Sequence, residues 1–536
     1  MNHSMALVDH EEKKSKCIAE NYLDIICENS PVVSKTISEY GHLQLGKYLK
    51  CIEADFRTNF QKIDDLADIV YSYANRFFGP YIASKASSDF RLNPVALTAN
   101  HHGVDYFAQS VQGSMLFALS KINGMKNRST VPIFSCGNVP LDNLTYPMGM
   151  LLYHANGARS HTLPRKLSIF SNSFRRAMVS VSSPFTDEMI IRAKKKVDKM
   201  VEENEISLKH ASCLHQIFDE EYLSSAVIRL SSYSQQSVVL NHRIWKRLFK
   251  ESATTPEMIY LELEEITRRL LILDLFNPDS LAWRVFFDCD LRNEVIEKLN
   301  GKKACWSVNY LVKRLKIAKT PSIEKESLNG CGTIFFWGIN SNGRRIPLYL
   351  DTDKLGKSIL RGVDDRGELY QIPFSFESII LALNQKRLLP SIFTCFLELA
   401  FARGVTCIGG YFQAEYLPAM QKGLVSALRR SKKYNQAATA VEKVNTSKYL
   451  SGMQTVMVKV KDKELVPAGP VEIIASGGLT EKDLKKMLSL TVKDAHLASL
   501  FETVPDVAPY AIKNNQWQKI LANEFFDLLG KKIVVK

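Results

Sequence analysis

The stretch that decides the fold is Val95-Ala96-Leu97-Thr98-Ala99-Asn100-His101-His102-Gly103-Val104-Asp105. Its first five residues form a short, mostly apolar run, which is typical of a strand covered on both faces of a sheet. A helical pattern follows the polar residues, and a second apolar run begins at Val131 and ends at Cys136. Strand, helix and strand within about 40 residues form a βαβ unit, so the sequence predicts a parallel sheet.

Helical patterns flank this unit on both sides. Residues 1–88 repeat apolar side chains at helical spacing until Phe78-Gly79-Pro80 interrupts the pattern. Residues 184–320 are mainly helical in pattern, and one helix is predicted from Thr255 to about Leu275. The apolar run from Leu388 to Ala402 contains Glu398 and is shorter than the roughly 20 residues of a membrane span, so it predicts a core helix.

A β-hairpin is predicted around Asn342-Gly343, because apolar runs at Thr333–Trp337 and Ile346–Leu350 flank this turn dipeptide. After the core helix, a strand at Val405–Ile408 leads into Gly409-Gly410 and a further helix. The polar, basic stretch from Arg429 to Lys448 is interpreted as a linker or surface loop.

The predicted fold class is therefore α/β, with a Rossmann-like parallel sheet core, a helical region and a small antiparallel β insertion. We divide the chain into five regions: an N-terminal helical region (1–88), the first half of the core (89–183), a helical region (184–330), the β insertion with the second half of the core (331–430), and a linker with a C-terminal α/β region (431–536).

Composition excludes several classes of protein. The 536 residues are 46% hydrophobic and 24% charged, as in ordinary globular proteins. The first residues contain no apolar stretch after a basic start, so we predict a cytoplasmic protein without a signal peptide or membrane association. The ten cysteines show no C-x-x-C spacing, which favours reduced thiols. The formal charge of +14 favours acidic or phosphorylated partners and leaves nucleic acid open.

The predicted site is the polar loop Asn100–Asp105. Ligands of α/β sheets bind beyond the carboxyl ends of the strands, where helix N-termini and unpaired N–H groups converge. His101 and His102 are candidate general bases, and Asn100 is a candidate substrate-binding amide. Asp105 is expected to orient His101 from the same face of the first helical turn. A helix cap beside a surface histidine is the alternative interpretation.

The second strand delivers another polar loop, Gly137–Pro147, to the same edge of the sheet. Asn138, Asn143 and Tyr146 are candidates for binding the hydroxyl or carboxylate groups of a small substrate. A plain turn is the alternative. Cys136 ends the buried strand and is interpreted as a small apolar residue rather than a nucleophile.

Gly409-Gly410 and the helix after it are predicted to close the far side of the cleft. Glycine has no Cβ, so the backbone there can approach a ligand or another segment closely. Gln413 and Glu415 are further substrate-binding candidates. The sequence lacks the G-x-G-x-x-G, Walker A, H-E-x-x-H and G-x-S-x-G patterns and predicts no metal site. The cofactor therefore stays open, with a nucleotide as one candidate.

Basic residues cluster within or beside helices, and most of them are interpreted as solvated helix faces. Arg243-Ile244-Trp245-Lys246-Arg247 interleaves an aromatic residue with basic ones, as phosphate-binding and RNA-binding surfaces do. This segment keeps a nucleic-acid partner, including tRNA, among the alternatives.

Several segments together are similar to the cysteine ligase family of bacillithiol biosynthesis. The similarity rests on the strand, polar loop and helix of residues 95–124, on the β segments 344–350 and 367–370, and on the strand, Gly-Gly turn and aromatic helix of residues 389–416. These segments cover about a third of the chain by pattern. The loops 99–103 and 137–143 depart from those of the family, and the family's long C-terminal coiled coil is missing.

The resemblance implies a Rossmann-like core and an enzyme that joins a small nucleophile, such as an amino acid, to a polar metabolite. A homodimer is one candidate assembly, although the coiled coil that would form it is missing. Our first hypothesis is accordingly a biosynthetic ligase or transferase with a small-molecule substrate. The alternative is a non-catalytic or tRNA-dependent binding protein that uses its basic surface.

Overall fold

The apolar run at Val95 forms the central strand of a five-stranded parallel sheet, as the sequence predicts. A computed structural model describes residues 17–54, 63–122, 129–154, 163–250, 255–317 and 332–536. The strands are β1 (Val95–Leu97), β2 (Thr130–Ser135), β3 (Gly149–Leu152), β4 (Arg165–Ser168), β5 (Glu257–Glu262), β6 (Phe336–Ile339), β7 (Arg345–Thr352), β8 (Ser358–Val363), β9 (Leu369–Pro373), β10 (Leu388–Pro390), β11 (Thr406–Gly410), β12 (Tyr449–Ser451), β13 (Val456–Lys461), β14 (Glu464–Pro467) and β15 (Val534–Val535).

The α-helices surround this sheet and make up most of the remaining regular structure. They are α1 (Ile18–Asn29), α2 (Pro31–Tyr40), α3 (Leu45–Ala54), α4 (Asp64–Leu92), α5 (Ala108–Ile122), α6 (Asp187–Glu202), α7 (Leu208–Ile217), α8 (Ser225–Ile228), α9 (Tyr233–Arg247), α10 (Leu263–Leu275), α11 (Leu281–Phe287), α12 (Cys289–Leu299), α13 (Val308–Ile317), α14 (Phe376–Asn384), α15 (Ile392–Phe396), α16 (Tyr411–Arg430), α17 (Asn435–Glu442), α18 (Pro470–Ala475), α19 (Glu481–Ser489), α20 (Val492–Ala498), α21 (Leu500–Val507) and α22 (Trp517–Leu529).

The central sheet has the strand order β12-β11-β1-β2-β5, and all four strand pairs are parallel. The three strands on one side follow one another outward along the chain, and the fourth and fifth then pair on the other side. This is the strand order of the Rossmann folds. The order reverses between β1 and β11, so the crevice where open α/β sheets bind ligands lies at the carboxyl ends of these two strands.

Both faces of the sheet are buried, because successive side chains of each strand enter two different hydrophobic cores. Val131 and Ile133 of β2 belong to one core, which α5 also helps to form, whereas Phe134 belongs to the other. In β5, Met258 belongs to the first core and Ile259 belongs to the second. Burial on both faces explains why these strands are continuous apolar runs rather than alternating ones.

The predicted antiparallel insertion is confirmed, and it is a five-stranded sheet of order β10-β6-β7-β8-β9. The predicted turn connects β6 and β7, where the Asn340 N–H donates to the Arg344 carbonyl at 3.0 Å. Gly343 adopts a φ of +70° in this turn. The residue at this position must tolerate a left-handed backbone, which is why Asn-Gly was informative.

Three predicted elements are wrong in type. The helix predicted from Thr255 begins as β5 and becomes helical only in α10, because its first apolar residues are buried on both faces of the sheet. The run from Leu388 begins as β10, which pairs with β6, and turns helical after Ser391. The predicted linker 429–448 contains the end of α16 and all of α17, and it leads directly into β12.

Four of the five predicted regions therefore contribute strands to the central sheet, including the helical region 184–330 and the C-terminal region.

The interruption at Gly79 is confirmed as a break inside α4, where its φ is +80°. No helix in the described part of the chain is long and apolar enough to cross a membrane. Residues 1–16 and Gly124, which entered the sequence analysis, lie outside the described residues.

Gly409 and Gly410 lie at the end of β11 and differ sharply in the space around them. A Cβ on Gly409 would come within 2.5 Å of the Gln413 side chain, whereas one on Gly410 would be 3.4 Å from its nearest neighbour. We expect Gly409→Ala to lower the free energy of unfolding by about 2 kcal/mol and Gly410→Ala to lower it by less than about 1 kcal/mol. Urea unfolding of both variants measures the difference, and equal losses would contradict the close approach.

Candidate functional site

Asp105 holds the turn that precedes α5 instead of orienting His101. Its carboxylate accepts hydrogen bonds from the Asn100 amide at 3.0 Å, the Phe107 N–H at 3.0 Å and the Ser110 hydroxyl at 2.7 Å. Residues 101–107 are not helical, so the one-turn spacing between His101 and Asp105 does not place them on a common face. The expected pairing of Asp105 with His101 is wrong, because the carboxylate is bound instead within the turn before α5. Burial raises the pKa of this carboxyl to about 6.

The polar loop is held from outside by α9. The Asn241 side chain accepts from the Asp105 N–H at 2.9 Å and donates to the Gly103 carbonyl at 2.8 Å. Gly103 has a φ of +114°, and a Cβ there would lie 2.4 Å from Pro147. Only glycine fits this combination of backbone conformation and close approach, so the loop has one well-defined path.

His102 is a structural residue because protein atoms engage both of its ring nitrogens. Nδ1 lies 2.7 Å from the Ser135 hydroxyl, and Nε2 lies 2.9 Å from the Ser234 hydroxyl. The side chain is fully buried, and burial lowers its pKa. His102 therefore joins β2 to the start of α9 and has no ring nitrogen directed at a ligand.

His101 is held by Asn143, which lies in the loop after β2. Its Nδ1 is 3.1 Å from the Asn143 side-chain oxygen. The same oxygen accepts from the Thr145 N–H at 2.9 Å, and the Asn143 amide nitrogen donates to the Pro140 carbonyl. These bonds fix which end of the amide faces His101, so Nδ1 must carry the proton and Nε2 must carry the lone pair.

The His101 side chain is only partly buried, in contrast to that of His102. Within the described ranges, Nε2 has no hydrogen-bond partner from the protein. Burial lowers the pKa of His101, although the bond to Asn143 opposes the shift. A neutral imidazole with a fixed tautomer and an open Nε2 is the arrangement that a general base requires. The Tyr260 hydroxyl also donates to the His101 carbonyl at 2.6 Å, which ties this residue to β5.

Glu264 is a site residue that the sequence analysis missed. Its carboxylate accepts from the backbone N–H groups of Gly137 at 2.6 Å and Asn138 at 2.9 Å, and the Cys136 thiol lies 3.3 Å away. Burial, followed by the charge of Glu262, raises the pKa of Glu264 to about 7. The available signal was the apolar run 258–261 followed by Glu262 and, one residue further on, Glu264, which is a buried strand with acidic residues at its carboxyl end.

Cys136 is a protonated thiol, because burial and the neighbouring Glu264 raise its pKa well above the ordinary value. Its interpretation as a small residue rather than a nucleophile fits this environment. The side-chain oxygen of Asn138 is buried and has no hydrogen-bond partner among the described residues. Arg345 of the antiparallel sheet donates to the Asn138 carbonyl at 3.2 Å. The insertion therefore reaches this edge of the central sheet.

Tyr146 and Glu415 are placed outside the polar cluster around His101. Tyr146 has a φ of +52°, and its ring packs against Gly149 and beneath the Lys166 ammonium on the β3–β4 hairpin. Glu415 accepts from the Ser30 hydroxyl and pairs with Lys303 at 3.2 Å. Both candidates therefore have structural partners.

Gln413 spans the switch point itself. Its amide nitrogen donates to the Thr98 hydroxyl, just after β1, at 2.8 Å and to the carbonyl of Cys407, within β11, at 3.2 Å. Gly409 leaves the room for this side chain, as described above. Gly409-Gly410 is therefore the end of a strand, not a separate turn, and Gly410 precedes the first residue of α16.

The basic segment 243–247 is not an open aromatic surface. Trp245 is 2% exposed, and its indole N–H donates to the Pro256 carbonyl at 2.9 Å. Arg243 and Arg247 pair with the carboxylate of Glu221. The predicted interleaving of exposed aromatic and basic side chains is wrong, because the helix turns its tryptophan into the core.

A cavity of about 460 Å³ lies apart from these residues, among α1, α2, α20 and α22. Its charged lining residues pair with one another, as Lys532 does with Asp494 at 3.1 Å. None of the candidate residues named above lines it. The polar edge around His101 therefore remains the stronger candidate site on chemical grounds.

Comparison with protein-family models, with curated proteins and with solved structures gives no match to this chain. The resemblance to the cysteine ligase family consequently stays a prediction. The Rossmann strand order stands on the geometry of the sheet alone.

The difference between the two histidines predicts a difference in chemical reactivity. Diethyl pyrocarbonate acylates unprotonated imidazole nitrogens, so we expect His101 to be modified at mildly acidic pH and His102 to stay intact. Fragmentation mass spectrometry of the peptide that contains both residues locates the adduct. The His101→Gln variant should leave this peptide unmodified, and an adduct on His102 in the native protein would refute the assignment.

Glu264 predicts a specific dependence of stability on pH. Its pKa is raised from 4.5 to about 7 on folding, so its stabilising contribution is complete below 4.5 and is lost as the pH rises through about 7. Between about pH 5 and about pH 8, we expect the native chain to lose about 2 kcal/mol more than Glu264→Gln does. Urea unfolding at both pH values measures this, and identical losses in the two proteins would show that Glu264 titrates normally.

Proposed function

We propose that this chain is a group-transfer enzyme, a biosynthetic ligase or transferase, in which His101 is the general base for a small nucleophile. The observation that carries the proposal is the Asn143–His101 pair, which fixes the proton on Nδ1 and leaves Nε2 open at the ligand-binding edge of a Rossmann-type sheet. The lowered pKa of His101 supports the same role, because the ring is then neutral at physiological pH.

In the proposed step, the proton of the attacking N–H, O–H or S–H group passes to Nε2 of His101 as that group bonds to the carbon or phosphorus atom of an activated substrate. The bond between this atom and its leaving group, a nucleotide or phosphate, then breaks, and the leaving group departs with the bonding electron pair. The imidazolium that results keeps its Nδ1–H on the Asn143 oxygen, which favours the charged ring at the moment of transfer. The unpartnered Asn138 oxygen is a ready acceptor for a polar group of the substrate. Asp105 and His102 act as supports that keep the loop in place, not as bases.

A nucleotide is the cofactor that we propose as the source of the driving force. Its support is the switch point between β1 and β11, which is the position where Rossmann folds hold nucleotides. The nine described cysteines are free thiols, which supports a cytoplasmic location for the reaction. The homodimer in this proposal is supported by the family resemblance alone.

The alternative of a tRNA-dependent or non-catalytic binding protein rests on the net charge of +14. Nucleic acid that co-purifies and dissociates with a steep dependence on salt would favour this alternative. The buried Trp245 and the paired arginines around it remove the surface that first suggested it.

The proposed base is tested by replacing His101 once native mass spectrometry of retained small molecules has identified a substrate. We expect His101→Gln to lower kcat by about 10²-fold or more, the usual contribution of a general base. His215→Gln is the matched control, because His215 is partly exposed in the last turn of α7 and pairs with Asp198. Full turnover by His101→Gln, with the fold intact, would refute the mechanism.

A further inference from the structure

Two basic residues, Arg345 and Lys386, lie where the antiparallel sheet meets the polar edge of the central sheet. Arg345, at the start of β7, donates to the Asn138 carbonyl at 3.2 Å. Lys386, between α14 and β10, donates to the Ser180 carbonyl at 2.8 Å. Both are exposed residues, so a ligand in solution can reach them. Neither takes part in the proposed proton transfer to His101.

The two cations approach one place because the segments that receive them are paired. The Ser180 N–H donates to the Gly137 carbonyl at 3.1 Å, so the anchor of Lys386 lies beside the anchor of Arg345. Within the antiparallel sheet, Ile339 of β6 pairs with Arg345, and its N–H donates to the carbonyl of the residue after Lys386. A single strand therefore separates the two basic residues, and one pair of segments binds both.

Apolar contacts hold the antiparallel sheet in this position. Ile339 and Leu389 pack against Met178 in a small core of their own. The Met178 N–H also donates at 2.8 Å to the Gly343 carbonyl, in the turn between β6 and β7. The basic residues are therefore presented by a packed sheet rather than by a loose loop.

No acid in the described part of the chain forms an ion pair with either basic residue. Arg344, by contrast, pairs with Asp365. Glu264 lies on the other side of the Gly137 backbone, but its carboxylate already accepts two backbone N–H groups, and burial raises its pKa to about 7. Two positive charges consequently stand at this edge without a counter-charge.

A buried hydroxyl without a partner lies between the two anchors. Ser180 is fully buried, and its side-chain oxygen has no hydrogen-bond partner among the described atoms. A Cβ on Gly137 would come within 2.2 Å of this oxygen, so the hydroxyl lies against the backbone just before Asn138. An unsatisfied buried hydroxyl costs about 1–3 kcal/mol, so the arrangement favours a ligand that accepts from it.

We propose that Arg345, Lys386 and the Ser180 hydroxyl form a binding site for a phosphate group. Two cations match the roughly two negative charges of a phosphate monoester better than the single charge of a carboxylate. The Arg345 guanidinium lies over the Trp337 ring, 4.6 Å from its centre, which leaves the N–H groups at its edge for a bidentate contact.

The site names a substrate class for the proposed enzyme. If the group transfer takes place at His101, the phosphate belongs to the activated substrate or to its leaving group, because the anchor residues Gly137 and Asn138 directly follow Cys136, the bridge partner of His101. This role rests on the proposed function. The binding of phosphate itself does not, and it is measured without turnover.

Titration of the full chain with inorganic phosphate, followed by phosphorus NMR, tests the site. We expect saturable broadening of the phosphate signal, and Arg345→Gln and Lys386→Asn should each weaken binding at least about tenfold. Asparagine suits position 386 because the backbone there has a φ of +54°, which asparagine tolerates. Arg366→Gln, in the exposed turn between β8 and β9, is the matched control and should bind like the native chain.

Modification with phenylglyoxal, which reacts with arginine, locates the bound phosphate in the native chain. We expect phosphate to protect Arg345 and to leave Arg366 reactive, as read by peptide mass spectrometry. ADP is the second ligand in this assay. Protection of Arg345 by ADP at a concentration at least about tenfold lower than that of phosphate would assign the phosphate to a nucleotide. Protection by phosphate without this gain would assign it to another phosphoester.

Circular dichroism and thermal unfolding establish that the variants are folded. Phosphate binding should be unchanged in His101→Gln, which separates this site from the proposed base: full turnover by that variant refutes the base and leaves the phosphate site standing. Phosphate that does not bind, that binds Arg345→Gln and Lys386→Asn as it binds the native chain, or that leaves Arg345 unprotected would overturn the proposal.

Discussion

The central sheet is buried on both faces, and this constraint decides where the chain can place polar chemistry. Successive residues of β1, β2 and β5 enter two different apolar cores, so the strands themselves accommodate few polar side chains. The polar groups gather instead in the segments that follow these strands. There they meet backbone N–H and C=O groups that the sheet no longer satisfies, and each buried group left unpaired costs about 1–3 kcal/mol.

Most polar side chains at this edge are therefore occupied by hydrogen bonds that hold the fold together. Asp105 holds the turn before α5, Glu264 accepts the two N–H groups of the loop after β2, and His102 joins two segments through both ring nitrogens. Burial shifts the pKa of each group, so a shifted pKa alone does not distinguish a base from a support. What distinguishes His101 is a free lone pair: its neighbours determine the tautomer and leave Nε2 without a partner among the described atoms.

The sequence predicts those parts of the fold that local patterns determine. The run at Val95 and the Asn342-Gly343 turn are confirmed because burial on two faces and a left-handed turn each leave a local signature. β5 was missed because a short apolar run that continues into an apolar helix does not reveal where the strand ends. The partner of His101 was missed because Asn143 lies 42 residues away, and the helical spacing to Asp105 fails where Gly103 bends the chain.

The position of the candidate residues at one edge of the sheet was easier to predict than their hydrogen bonds, for the same physical reason. The carboxyl edge of a parallel sheet follows from strand direction alone, whereas the bond between Cys136 and Glu264 joins residues 128 positions apart. Such contacts depend on how the whole sheet assembles. The start of α5 shows the consequence: the Phe107 N–H donates to Asp105, two residues before it, whereas the Ala108 N–H donates to the Tyr153 hydroxyl, 45 residues away. Adjacent backbone groups are thus held by one local and one distant side chain, and only the local contact is within reach of a pattern in the sequence.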